Sequence, residues 1–176
     1  MIVSNATNIS DLKFAGSSIC GALQNSTQAN FWGYGNTTIS RILSGSIALY
    51  KYGSGVVTLT ATNSYSSGTF LVGGTLSFTA TAGLGTTGNI TFRGGALKYG
   101  VSGMTSDLSA RIKNSTSPIV IETNTTTQNY NSNIDSTNIA GLTKKGAGLL
   151  ALNAANGFTG AVRCEAGTLQ VNQPNA

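Results

Sequence analysis

Residues 49–78 and 142–171 repeat one another without a gap, and this constrains the fold of the 176-residue chain more than any other feature. Leu142 follows Leu49 by 93 positions (142 − 49). The same offset joins Lys51 to Lys144, Gly53 to Gly146, Gly55 to Gly148, Leu59 to Leu152, Asn63 to Asn156, Gly74 to Gly167 and Leu76 to Leu169. A shorter echo lies inside the first copy, where Thr69–Phe78 resembles Ile90–Tyr99, 21 positions later (90 − 69). Self-similarity near 20 residues is the length of one coil of a parallel β-solenoid. The expectation is an all-β, right-handed parallel β-helix of about eight coils.

The local pattern gives each coil its corners and its faces. Glycine pairs precede short alternating strands at Gly73-Gly74, Gly94-Gly95 and Ala166-Gly167. Glycine reaches positive φ at a corner without a steric cost. The strand that follows alternates with period two. Leu76 and Phe78, Leu97 and Tyr99, and Leu169 and Val171 are expected inward; Thr75, Ser77, Lys98 and Gln170 are expected outward. Asn63 and Asn156 are expected to stack or to bond corner backbone. Composition agrees: β-branched and aromatic residues favour a pleated surface, Asn, Gly and Ser favour turns, and only 2 residues are proline.

The motif L-T-K-x-G-x-G-x-L-x-L, followed by N-x-Y/F-x-G and A-G-T-L-x-V, resembles the autotransporter-associated β-strand repeat of bacterial passenger domains. Leu142–Val171 matches it closely; Leu49–Phe78 is more diverged, with Tyr50 where threonine is usual. The resemblance implies a secreted or cell-surface structural module. It divides the chain into poorly matched N-terminal coils or a capping region at 1–45, a first repeat at 46–100, irregular coils or an insert at 101–138, and a second repeat at 139–176. The polar tract after Ile119-Val120-Ile121 is the place for an exposed loop or for coils with asparagine corners.

The chemistry of an enzyme is thin. There is no histidine, which removes His-based triads and most zinc sites. A glycosidase needs two facing carboxyl groups, and Asp11, Asp107, Glu122, Asp135 and Glu165 share no repeat position. A calcium-assisted lyase needs clustered acids. Arg93 and Arg163 are the candidate bases, with a solvated arginine on a sheet face as the plainer reading. Gly83–Gly88 spells G-x-G-x-x-G but runs on into a strand-like Ile90-Thr91-Phe92, so it reads as a coil corner rather than a nucleotide loop. No catalytic residue, cofactor site or metal site is expected.

Charge and aromatics suggest partners. The 10 lysines and arginines against 5 acids are scattered, unlike the clustered pattern of a nucleic-acid binder, and read as isolated cations on exposed strand edges. No run of about 20 apolar residues exists to span a membrane as a helix. Cys20 and Cys164 would lie about seven coils apart, too far for an intrachain disulfide, and read as buried, inert thiols. Phe31, Trp32 and Tyr34 are candidate ligand or cap aromatics, for which cell-surface glycans are the natural ligand. The expected function is a rigid, non-enzymatic β-helical stalk of an autotransporter-like surface protein, adhesive through its loops. The alternative is a subunit stacking end to end into an extracellular fibre. Partners are neighbouring coils or further copies of the chain.

Overall fold

The structure is a computed structural model and describes residues 12–14 and 27–173. It is a parallel β-solenoid of about seven turns. Its strands are short because each turn must bend at three corners. The first face stacks β1 (Leu12–Phe14), β2 (Gln28–Gly33), β5 (Ala48–Tyr52), β8 (Thr69–Leu71) and β10 (Ile90–Phe92). The second face is a seven-stranded ladder of β3 (Thr37–Ile39), β6 (Val56–Leu59), β9 (Thr75–Phe78), β11 (Ala96–Tyr99), β12 (Ile119–Glu122), β14 (Leu142–Lys145) and β16 (Val162–Cys164). The third face carries the two-stranded β4 (Ser44–Gly45) and β7 (Ser64–Tyr65), and later β13 (Gln128–Tyr130), β15 (Leu149–Leu152) and β17 (Thr168–Val171). Among the described residues every strand pair is parallel. Among the described residues the one helical element is a 3-10 turn, Ser109–Arg111.

Period-two alternation turns one set of side chains into a continuous core. Leu76, Phe78, Leu97 and Tyr99 are fully buried as expected. Leu76 lies beside Leu97, and Phe78 beside Tyr99, in the register of β9 and β11. Like side chains thus stack along the axis at the strand spacing of about 4.8 Å. Ser77 departs from the expectation: it is buried, between Thr58 and Lys98 in the register. Leu169 is half-buried and Val171 is half-exposed, because β17 is the outermost strand of its sheet.

Residues 101–138 stay within the stack. Leu97 pairs with Ile121, and Ile121 with Lys144. These turns take 24 and 23 residues (121 − 97 and 144 − 121), against 19 from Val57 to Leu76 (76 − 57). The longer turns are why there are about seven turns rather than eight. They also change the phase of the repeat. In the first copy, the strand bearing Lys51 is on the first face and the strand after its corner is on the second. In the second copy, the strand bearing Lys144 is on the second face and β15 is on the third. The two copies are therefore related by four turns and one further face.

Candidate functional site

The repeat positions converge on the corners. Lys51 shares the inward parity of Leu49, while Tyr50 and Tyr52 take the other side. Its side chain is 0% exposed. The Nζ donates to the carbonyl oxygens of Tyr52 (2.6 Å), Gly53 (3.0 Å) and Gly73 (3.1 Å). Lys144, also 0% exposed, repeats the arrangement with Lys145 (2.7 Å), Gly146 (2.7 Å) and Ala166 (3.0 Å). Each ammonium gathers two carbonyls of its own corner and one from the coil above. This corrects the reading of the cations as residues of exposed strand edges: these two point inward, where a carbonyl cage compensates the buried charge. Burial lowers the Lys51 pKa to about 8 and lowers that of Lys144.

Gly74 is the partner of this cage. Its φ is +60°, and a Cβ there would lie 2.8 Å from the Lys51 Nζ and collide with the carbonyl oxygens of Gly53 and Gly55. The lysine, Gly53, Gly55 and Gly74 are thus one packing unit, and Lys144, Gly146, Gly148 and Gly167 form its counterpart. Leu59 and Leu152 sit in the core next to these corners.

The asparagines are axial clamps. Asn63 Oδ1 accepts the Leu43 N–H at 2.8 Å, and its Nδ2 donates to the Gly83 carbonyl at 2.6 Å, one coil on each side. Asn156 Oδ1 accepts the Ile134 N–H at 3.0 Å, and its Nδ2 donates to Ala154 at 2.8 Å. Asn138 is a third clamp that the repeat did not reveal; its Oδ1 accepts the Ser115 N–H at 3.1 Å. Arg111 was also unforeseen. Its guanidinium donates to the carbonyls of Leu84 (2.8 Å), Gly85 (2.9 Å), Thr87 (2.8 Å) and Gly88 (2.9 Å). The G-x-G-x-x-G segment is therefore a coil turn whose carbonyl groups converge on an arginine, not a phosphate cradle.

Outward side chains form ladders. On the first face, Trp32 stacks on Tyr52 with centroids 4.3 Å apart, Tyr50 stacks on Phe70 at 4.5 Å, and the Arg93 guanidinium covers Phe70 at 4.9 Å. Phe31 faces the core and Tyr34 is 70% exposed in the following turn. The expected Phe31–Trp32–Tyr34 cluster is thus split across the sheet. Trp32 joins Tyr50, Tyr52 and Phe70, and the stacked rings turn their faces to one another. On the second face, Lys98, Glu122 and Lys145 are successive in register, and Glu165 follows. Lys98 pairs with Glu122, and Lys145 with Glu165 at 3.2 Å. Asn153 donates to Asn131, and Asn172 to Asn153, on the third face. Parallel in-register stacking favours ladders of this kind.

The carboxylates work in these same contacts. Asp107 accepts from Ser109 and from the Asn131 N–H; Asp135 pairs with Lys113 at 3.3 Å and accepts from Thr137. Among the described residues no three potential metal ligands group together. Arg163 is exposed. Cys164 is an exposed free thiol, contrary to the expectation of a buried one, because it sits in the outermost coil. Cys20 lies outside the described residues. No helix among the described residues is long and apolar enough to cross a membrane.

A stack of parallel turns with lysine-pinned corners and axial ladders is a repeat-built β-solenoid, an architecture that presents a long surface rather than a pocket. Residues 49–78 and 142–171 each match the passenger-associated-transport-repeat, so the chain carries two copies of that repeat. It is also similar to the adhesin BmaC autotransporter of Brucella suis biovar 1 (strain 1330), with 32% identity over 173 residues. That alignment covers 89% of this chain and 5% of the relative, so the chain spans about a twentieth of that protein's length. No solved structure matches the chain.

Proposed function

We propose that the chain is a non-enzymatic stretch of a surface-exposed or secreted autotransporter-type passenger. It acts as a rigid β-solenoid spacer that carries adhesive loops away from the cell. One observation carries this reading: the second-face ladder continues through seven strands and both repeat copies without a break. Every turn is tied to its neighbours by backbone bonds, and the lysine cages, asparagine clamps and stacked rings reinforce them. Such a stack resists bending because each turn contacts only the next. The four described carboxylates are held in structural pairs or caps, which favours a scaffold over a catalyst. The similarity to an autotransporter adhesin supports surface display and adhesion. Contacts with cell-surface glycans would fall to exposed side chains such as Tyr34 rather than to the closed ring stacks.

Small-angle scattering on the purified chain, with a cell-adhesion assay on the same material, tests the proposal. The expected result is a monomeric rod with seven turns spanning about 34 Å along its axis, and adhesion to host-type cells above a bare-bead control. A flexible coil, or turnover of a polysaccharide panel, would overturn it.

A further inference from the structure

We propose that the second face pairs with the same face of a second copy of this chain, the two solenoids lying side by side with their coils in opposite order. The contact is the stretch of that face formed by β11, β12, β14 and β16. This goes beyond the spacer reading, since a rod stands without any lateral partner.

Two outward columns supply the argument. One runs Lys98, Glu122, Lys145, Glu165, alternating in sign from coil to coil. Lower on the face the same column is uncharged, at Thr38, Thr58 and Ser77, so the charges form a bounded patch. Their side chains keep 37%, 28%, 45% and 41% of their surface exposed. Each in-chain ion pair uses one carboxylate oxygen, Oε1 of Glu122 and Oε2 of Glu165. The second oxygen of each is left for a cation from outside. The neighbouring outward column runs Ala96, Val120, Thr143, Arg163. Its first three side chains are short, and they let a second sheet approach to about 10 Å.

The alternation dictates how a second copy lies. A two-fold axis along the strand direction, midway between β12 and β14, reverses the order of the coils. The charged column then meets its own inverse: Lys98 faces the partner's Glu165, and Glu122 faces the partner's Lys145. In the other column Val120 faces the partner's Thr143, and Ala96 leaves room for the partner's Arg163. Solenoids running the same way would set Lys98 against Lys98 and Glu122 against Glu122, which like-charge repulsion disfavours. The reversed contact is isologous and closes on two copies. Four strands of about four residues cover roughly 250 Å² per copy, well under the ~800 Å² per partner of a standard interface. The pairing is therefore weak and salt-dependent, and it leaves a monomeric rod in dilute solution.

Sedimentation equilibrium at millimolar chain concentration, under reducing conditions, separates the order of the charges from their sum. In about 10 mM salt, where the screening length is about 30 Å, the chain should show a monomer–dimer equilibrium; in about 1 M salt, where that length is about 3 Å, it should be monomeric. Glu122→Lys combined with Lys145→Glu puts two cations before two acids. That column still meets its inverse and should dimerise as the original chain does. Lys145→Glu combined with Glu165→Lys puts two acids between two cations. Reversed, it sets like against like, and its association constant should fall at least about tenfold. Both variants keep the net charge. The first has more like-charged neighbours within the chain, so a loss caused by weakened folding would strike it harder than the second. A chain that stays monomeric at low salt overturns the proposal and leaves the spacer reading standing. Equal dimerisation of the two variants overturns it as well, because the column then does not set the contact.

Discussion

Lys51 and Lys144 hold the same place in the repeat and donate to the same three kinds of carbonyl, yet they stand on different faces of the solenoid. The repeat is therefore not bound to one face. It is about one and a half coils long, and the two long turns between the copies advance it by one face. Surface features carried by successive copies point in different directions around the axis.

The cage predicts the effect of removing its centre. Lys51→Met keeps the aliphatic stem and deletes the ammonium. Three carbonyls lose their donor, and each buried acceptor left unsatisfied costs about 1–3 kcal/mol. Relaxation and water entry will recover part of this, so a loss of about 2 kcal/mol is expected in urea unfolding. Unchanged stability would mean that the ammonium does not hold the corner.

The same lysine gives a pH dependence with a definite sign. Burial lowers its folded pKa to about 8, from 10.5. Between these values the unfolded chain binds the extra proton, so stability contributed by this group rises as pH goes from about 8 to 10.5. Tyrosine opposes it at higher pH. Burial raises the Tyr65 pKa to about 12 and raises those of Tyr99 and Tyr130. Above the ordinary value of 10.0 the unfolded chain sheds protons that the folded chain keeps, and stability falls. Urea midpoints measured from pH 7 to pH 12 should rise and then fall, and Lys51→Met should reduce the rising limb, leaving the part that Lys144, whose pKa is also lowered by burial, contributes.

Two glycines with positive φ separate conformational strain from collision. At Gly45 (φ +87°) a Cβ meets nothing within 4 Å, whereas at Gly74 (φ +60°) it collides with two carbonyl oxygens. Gly45→Ala should cost about 1–2 kcal/mol from the left-handed backbone alone. Gly74→Ala should cost more than about 3 kcal/mol, or prevent folding. Thermal denaturation of the two variants side by side checks the ranking.

Arg111 should control the turn at Gly83–Gly88. A lysine in its place keeps the charge but cannot reach four carbonyls with a planar fork. Arg111→Lys is expected to speed amide exchange across residues 83–88 at least about tenfold, the equivalent of about 1.4 kcal/mol of local opening. Exchange in β12 should stay near its original rate. Unchanged exchange in the turn would assign its order to the backbone alone.

Much of the fold was legible in the residues. Leu76, Phe78, Leu97 and Tyr99 declare their shared face by alternation, and the glycine pairs declare the corners. The parity argument could also have placed Lys51 inward with Leu49. It was obscured by the general preference of lysine for water, which a local cage of carbonyls overrides. Adjacent Phe31 and Trp32 must likewise face opposite ways on a strand, so they could not form one platform. Arg111, Asn138 and the Lys98–Glu122–Lys145–Glu165 column left no such signal. Their partners on neighbouring coils lie 20 or more positions away, and only the register brings them together.

The sequence by itself determined that the chain coils in parallel, where it turns and which side chains fill the core. Those properties follow from spacing along the chain: glycine at positions that need its conformational freedom, and apolar residues at every second place. Only the tertiary structure decided the number of turns, the one-face advance between the copies and the exposure of Cys164. These depend on how many residues each turn consumes and on whether a coil lies above. Both are set by long-range pairing, since a coil of 19 residues and one of 24 present the same short strands to their neighbours and differ only in the turns between them.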